Sequence, residues 1–138
     1  MSGFVSTLHQ NRNMFDGNWE NTLINNNGSM SSTAAYKTSV NFIQVDGKTF
    51  TFSNNMPAVE GFIIGLYDAD KSFIKRIVTG ANKLSVTISE PVAIYIKICL
   101  QSNIASTASQ VQIELGDKAT SYVPYGLEKV SHIITTKT

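Results

Sequence analysis

The fold class is decided by residues 36–53, which read YKTSVNFIQVDGKTFTFS. Residues 36–45 favour a strand, and Asp46-Gly47 is typical of a two-residue hairpin turn because both positions must tolerate positive φ. In residues 48–53 threonine and phenylalanine alternate, which indicates a half-buried strand with one apolar and one hydroxylated face. The stretch therefore predicts a β-hairpin.

The same pattern recurs along most of the chain. Asn26-Asn27-Gly28 indicates a type I′ turn, Asn54 to Pro57 is expected to close the strand before it, and residues 101–109 read as a polar loop. Further strands are predicted at residues 61–67, 72–78, 84–88, 92–100 and 111–115, and a short one at 132–135. Seven or eight short strands separated by turn residues predict an all-β sandwich or barrel.

Composition and charge agree with one β-rich domain. The 138 residues include 15 Ser, 13 Thr and 12 Asn, which suit strands and turns better than helices. The net charge of +1, with no basic run, argues against binding to nucleic acid, and no apolar stretch is long enough for a membrane span. The start of the chain lacks the features of a signal peptide. The single Cys99 excludes an internal disulfide and a cysteine-based zinc site.

The sequence contains no recognisable catalytic motif. His9 and His132 lack partners at metal-ligand spacing, and no phosphate-binding loop is present. Glu60, Glu90 and Glu114 lie at or beside strands, so a glycosidase pair stays open as an alternative, although nothing singles out two of them. We therefore predict a protein that is not an enzyme.

A possible calcium loop begins at Asp68-Ala69-Asp70, where alternate carboxylates could converge on a cation. The glycine at the sixth position and the glutamate at the twelfth are missing. A hairpin turn between two apolar strands is the simpler interpretation, and we expect no metal and no cofactor.

Two strands indicate where a ligand would bind. Alternation places Tyr95 and Lys97 on the side of one strand, and Gln112 and Glu114 on the side of another, that faces away from the core. Trp19 lies within Asp-Gly-Asn-Trp-Glu, so amide and carboxylate groups flank its aromatic ring. Sugar-binding proteins place such a ring against the apolar face of the sugar. The predicted carbohydrate-binding residues are Trp19, Tyr95, Lys97, Gln112 and Glu114, with Trp19 as the stacking ring. Alternatively, Trp19 plugs the end of the sandwich and the outer faces are only solvated, with Lys97 and Glu114 pairing across the sheet.

These segments, in this order, resemble jelly-roll modules in the tail and baseplate proteins of phages that infect Gram-positive bacteria, modules similar to carbohydrate-binding modules. The resemblance spans residues 13–126 and is carried by Asn13 to Asp16 with Trp19, by residues 39–45, 47–51, 66–74 and 94–97, and by the ending of the module. That ending is most specific: a strand finishing in Glu114-Leu115-Gly116, then Ala119-Thr120-Ser121-Tyr122-Val123-Pro124-Tyr125. Because Pro124 fixes the backbone, we expect its two flanking tyrosines to cover the open edge of the sandwich.

The resemblance implies a jelly-roll β-sandwich of two antiparallel sheets over residues 13–126, with an N-terminal arm at 1–12 and a C-terminal tail at 127–138. It implies a non-catalytic virion protein, in the tail or baseplate, that binds host cell-surface polysaccharide or teichoic acid during adsorption. Other virion proteins and further copies of the chain, as a homo-oligomer, are the implied protein partners, with no nucleic acid and no membrane. A structural decoration or adaptor protein without sugar affinity is the alternative.

Overall fold

Strands make up most of the regular structure in the computed structural model, which describes residues 12–107 and 110–125. The strands are β1 (Trp19–Glu20), β2 (Thr22–Ile24), β3 (Met30–Ser32), β4 (Tyr36–Ser39), β5 (Ile43–Gln44), β6 (Phe50–Ala58), β7 (Ile63–Tyr67), β8 (Phe73–Val78), β9 (Lys83–Ile88), β10 (Tyr95–Gln101) and β11 (Gln112–Leu115), with one helix, α1 (Ser102–Thr107). All of the strand pairings are antiparallel. The predicted all-β class is confirmed.

Two sheets face each other across one apolar core. The larger sheet has the order β1-β4-β10-β7-β8, with β5 pairing β10 beside β4, and the smaller sheet has the order β11-β6-β9. Ile64, Ile96 and Ile98 of the larger sheet and Phe52 and Ile113 of the smaller one are completely buried in the shared core. Alternation along β10 and β11 therefore assigns these side chains to the core correctly, whereas Leu115, predicted on the same face at the end of β11, is exposed.

The β2–β3 hairpin covers part of the outer face of the larger sheet. Ile24 of this hairpin packs against Ile63 and Cys99 in a second, smaller apolar cluster. The predicted turn lies between β2 and β3, but among its described residues only Gly28 has positive φ, so the type I′ assignment is wrong. A longer loop closes the hairpin, in which the Asn27 Oδ1 accepts hydrogen bonds from the N–H and the hydroxyl of Ser29.

The turn at Asp46-Gly47 exists, but the predicted hairpin around it does not. Both residues have positive φ, and the Lys48 N–H donates to the Val45 carbonyl at 2.9 Å. However, β5 pairs with β10 in the larger sheet, whereas β6 pairs with β9 and β11 in the smaller one. The turn therefore carries the chain from one sheet to the other. The residues of the turn determine that the chain reverses direction there, but not which strands β5 and β6 pair with.

Two other local predictions are wrong. The polar loop predicted at 101–109 contains α1, because Ile104 and Ala105 are buried against the core. The strand expected to end near Asn54 continues through Pro57 to Ala58. Its pairing with β9 shifts in register between Ser53 and Ala58, so the missing N–H of the proline breaks no regular ladder. No helix of the described segments has the length and apolar character needed to span a membrane.

Several predictions fall outside the described residues. These are the strand at 132–135, His9 and His132, the C-terminal tail at 127–138 and all but the last residue of the N-terminal arm. The domain boundaries at 12 and 126 therefore stay predictions.

Candidate functional site

The first candidate site is a pocket beside Trp19, at the start of the domain. The Trp19 ring packs on Phe15 with 4.7 Å between ring centroids and lies against the main core. The pocket has a volume of about 290 Å³, near the lower end of the roughly 300–1,000 Å³ range of small-ligand pockets. Its lining residues are Phe15, Asp16, Gly17, Trp19, Val111, Tyr122 and Tyr125. Three amphipathic aromatic rings and one carboxylate thus meet in one open pocket.

Asp16 provides the charged group of this pocket and is held in position by its neighbours. Its Oδ1 accepts the Asn18 N–H at 2.9 Å, and its Oδ2 accepts the Asn41 side-chain amide at 2.7 Å. A carboxylate has about four acceptor positions, so Asp16 keeps capacity for further donors such as hydroxyl groups. Of the polar residues predicted around Trp19, Asp16 lines the pocket, whereas Asn18 and Glu20 do not.

Tyr122 and Tyr125, which line the pocket, belong to residues 116–125, which we call the C-terminal segment. Side chains of β11 hold this segment on the outer face of the smaller sheet. The Glu114 carboxylate accepts the Thr120 hydroxyl at 2.6 Å and the Thr120 N–H at 3.1 Å. The Gln112 amide donates to Glu114 at 2.9 Å, and its oxygen accepts the Val123 N–H at 2.9 Å.

Gln112 and Glu114 therefore do not line an open binding surface. Their side chains point away from Ile113, as alternation predicts, but they are only 1% and 2% exposed. The expectation that they face solvent is wrong, because the C-terminal segment covers them. Their polar groups are satisfied by that segment, which explains physically why a strand ending in Glu-x-Gly is followed by Ala-Thr-x-Tyr.

The start of the described chain holds the same segment from the other side. Asn13 is almost fully buried, and its amide donates to the Val123 carbonyl at 3.0 Å and to the Val111 carbonyl at 3.3 Å. Its oxygen accepts the N–H groups of Phe15 and Ile113 at 3.0 and 3.2 Å. One asparagine thus joins both chain segments that build the pocket.

A smaller pocket of about 190 Å³ lies between the C-terminal segment and the smaller sheet. Tyr122 lines both pockets, and the other lining residues are Ser53, Asn54, Asn55, Leu84, Ser85, Gln110, Ala119 and Thr120. Most of these lining residues carry hydroxyl or amide side chains. The two pockets therefore adjoin a common aromatic side chain.

Tyr95 and Lys97 belong to a different surface, which we call the aromatic–lysine platform (Phe42, Lys71, Tyr95 and Lys97). Phe42 meets Tyr95 edge-on at 6.0 Å and the buried Tyr67 edge-on at 4.9 Å. The Lys97 ammonium lies 4.7 Å from the centre of the Phe42 ring, and the Lys71 ammonium lies 5.0 Å from that of Tyr95. Burial raises the pKa of the supporting Tyr67 phenol, which keeps it protonated.

The five residues predicted as one carbohydrate site occupy three places. Trp19 packs against the core between the sheets, whereas Tyr95 and Lys97 alternate with core residues and so lie on the opposite face of the larger sheet. Gln112 and Glu114 lie beneath the C-terminal segment on the smaller sheet. The structure thus brings Tyr95 and Lys97 together but separates them from Trp19.

The other carboxylates considered from the sequence have structural partners. Glu90 forms an ion pair with Lys75 at 3.2 Å. Glu60 accepts the Tyr36 hydroxyl at 2.9 Å, a hydrogen bond that, with burial, raises the pKa of Tyr36. Asp68 makes the predicted hairpin turn: its Oδ1 accepts the N–H groups of Asp70 and Ser72 at 2.9 Å. Over residues 12–107 and 110–125 there is no group of three His, Cys, Asp or Glu able to hold a metal.

Sequence reasoning missed four residues of these two surfaces. The sequence predicts that Tyr122 and Tyr125 cover the open edge of the sandwich. An aromatic pair beside a proline that fixes the backbone is equally suited to line a pocket. Phe42 lies within the strand predicted at 36–45 but falls between β4 and β5 in the structure, and Lys71 lies in the turn between β7 and β8, so alternation did not assign either side chain to a surface. Their positions follow from sheet pairing, because Tyr95 of β10 pairs with Gln44 of β5 on one side and with Tyr67 of β7 on the other.

Comparison of the chain with protein-family models, curated proteins and solved structures finds no match.

Proposed function

We propose that this protein is a non-catalytic glycan-binding module of a phage tail or baseplate, which attaches the particle to the cell-wall polysaccharide of its host. The observation that carries the proposal is the pocket that Trp19, Tyr122 and Tyr125 line together with Asp16. A sugar presents an apolar face of C–H groups and a rim of hydroxyls. Aromatic rings suit the first, and an acceptor such as Asp16 suits the second.

The strand order supports a jelly-roll sandwich as the scaffold. From β5 onward the chain alternates between the sheets, except for the β7–β8 hairpin, and the resulting strand orders are β5-β10-β7-β8 and β11-β6-β9. These are the orders expected when two antiparallel sheets are wound together by crossing connections. Next to β11, the Met14 N–H donates to the Ile113 carbonyl at 2.8 Å, where the outermost strand of the second sheet would lie.

The phage setting rests on the resemblance of residues 13–126 to tail modules. The structural role of Glu114 and Thr120 gives its most specific motif a physical reason, since both residues fasten the segment that carries the pocket tyrosines. The two adjoining pockets favour a chain of sugars over a single one, because Tyr122 lines both.

A structural virion role without sugar affinity is the second candidate. Val78 and Leu84, about half exposed, lie on β8 and β9, the edge strands of the two sheets. Apolar side chains on neighbouring edges favour packing against another protein subunit. Association of the purified chain with other virion proteins, without binding to any wall polysaccharide, would support this candidate over the first.

The test is binding of the purified chain to cell-wall polysaccharides prepared from a panel of Gram-positive bacteria. Tyr125→Ala removes a half-exposed ring and should weaken binding at least tenfold while changing the free energy of unfolding by under about 0.5 kcal/mol. Trp19→Ala should abolish binding but also destabilise the protein, because this ring packs on Phe15. Val92→Ala, exposed and away from the pocket lining, is the control and should bind normally. Equal binding by Tyr125→Ala and Val92→Ala would place the site elsewhere.

A further inference from the structure

Two lysines of the aromatic–lysine platform converge on the same ring. The Lys71 and Lys97 ammonium groups lie 5.3 and 4.7 Å from the centre of Phe42. Each is attracted by the ring, but the two positive charges repel each other. A single anion placed between them would remove that repulsion.

Carboxylates near the platform have other contacts or face the solvent. Lys75 and Glu90 form the ion pair described above, and neither Lys71 nor Lys97 has such a partner within the described residues. Asp68 is turned toward backbone N–H groups of its own loop, and Asp46 accepts the Gln44 amide at 2.8 Å. Asp70, next to Lys71 in the chain, is exposed. The platform thus keeps two ammonium groups available to a ligand.

The backbone at Lys71 adds a second, independent observation. Its φ is +63°, in the left-handed region that glycine and asparagine adopt most readily. The other non-glycine residues with positive φ in the described chain are Asp46 and Asn82, both of types that tolerate it. A lysine therefore occupies a position where the turn itself would favour glycine or asparagine, and such local strain is typical of functional positions.

We infer that the aromatic–lysine platform is a second binding site, specific for an oxyanion, phosphate or carboxylate, carried on a sugar whose apolar face lies against Phe42 and Tyr95. The inference rests on the proposed function and defines its ligand further as an anionic glycan. The two ammonium groups bind the oxyanion through charge-assisted hydrogen bonds, and the rings select a ligand with an apolar face beside that charge. Free inorganic phosphate, which has no apolar face, should bind more weakly.

The experiment is an NMR titration of the full chain at low salt with glucose 6-phosphate, glucuronate, glucose and inorganic phosphate. The first two should shift the signals of Phe42 and Tyr95, and which of them binds more tightly identifies the oxyanion. Lys71→Asn and Lys97→Gln should each weaken that binding about tenfold, whereas Lys48→Gln, an exposed lysine elsewhere, should leave it unchanged. Lys71→Asn should not lower the melting temperature, because asparagine tolerates the φ at this position.

The outcomes separate this inference from the proposed function. If the lysine variants bind charged sugars as the native chain does, or Lys48→Gln weakens binding equally, the platform is not the site, whatever Tyr125→Ala shows. If glucose shifts the platform signals as strongly as its phosphate, the site is not specific for an anion. If charged sugars bind through the lysines while Tyr125→Ala has no effect on wall binding, the inference stands and the pocket proposal fails.

Discussion

Replacing Glu114 tests how the C-terminal segment is held. The carboxylate is 2% exposed and accepts three hydrogen bonds, two from Thr120 and one from Gln112. In Glu114→Ala all three are lost. Thr120 is exposed and its donors can return to water, but the buried Gln112 amide keeps only its long hydrogen bonds to the Thr120 and Ser121 carbonyls, at 3.4 and 3.5 Å, so we expect a loss of about 2 kcal/mol in the free energy of unfolding.

Glu114→Gln should cost less, about 1 kcal/mol. The amide oxygen still accepts the Thr120 N–H and the Gln112 amide, and the amide N–H can donate to the Thr120 hydroxyl, so mainly the charge assistance disappears. Both values come from urea unfolding monitored by tryptophan fluorescence, since Trp19 faces the pocket beside this segment. Glu20→Ala is the control, because within residues 12–107 and 110–125 Glu20 accepts a single long hydrogen bond, from Thr22 at 3.4 Å.

Binding of the same variants to cell-wall polysaccharide is the second measurement. Although Glu114 does not line the pocket, Glu114→Ala should weaken binding because it releases the segment that carries Tyr122 and Tyr125. Two results would contradict this role of Glu114. The first is a free energy of unfolding of Glu114→Ala within about 0.5 kcal/mol of the native protein. The second is the expected loss of stability together with unchanged binding.

Two further predictions concern the β2–β3 hairpin and the cluster beneath it. Gly28→Ala should destabilise the protein by about 2 kcal/mol more than Gly17→Ala in thermal unfolding, because both have positive φ but only at Gly28 would a Cβ clash with the ring of Phe73. Burial raises the pKa of the Cys99 thiol from 9.0, so folding favours the protonated form; stability is retained below pH 9 and decreases above it. At pH 8 Cys99 should react with a thiol reagent only after urea unfolding, and rapid reaction of the native chain would contradict its burial.

Local pattern predicted the strands better than their partners. The apolar faces of β10 and β11 follow from alternation, because a period of two is visible in any half-buried strand. The Asp46-Gly47 turn was found but interpreted as a hairpin, since a turn contains no information about which sheet receives the next strand. The helix at Ser102–Thr107 was missed because its only strong signals are Ile104 and Ala105, whose burial depends on contacts remote in sequence.

The candidate site was less predictable for the same reason. Trp19 could be singled out as the only tryptophan, but Tyr122 and Tyr125, which line the same pocket, lie more than a hundred positions further along the chain. Gln112 and Glu114 have the pattern of a solvated face, and only the segment that covers them makes them internal. Whether an outward-pointing side chain is exposed depends on which segment covers that face of the sheet. The alternation pattern of a single strand carries no information about this.

Asn13 donates to Val123, 110 positions away, and this contact determines when the pocket can exist during synthesis. A ribosome releases the chain from its N-terminus, so Trp19 and Asp16 emerge long before Tyr122 and Tyr125. Strands β4 to β10 can pair beforehand, whereas the pocket wall must wait for the last part of the domain to leave the exit tunnel. A nascent chain in which β10 has left the tunnel but the C-terminal segment has not should therefore contain most of the larger sheet and yet lack the pocket beside Trp19. The gain of glycan binding that depends on Tyr125 would then report the final docking step of folding.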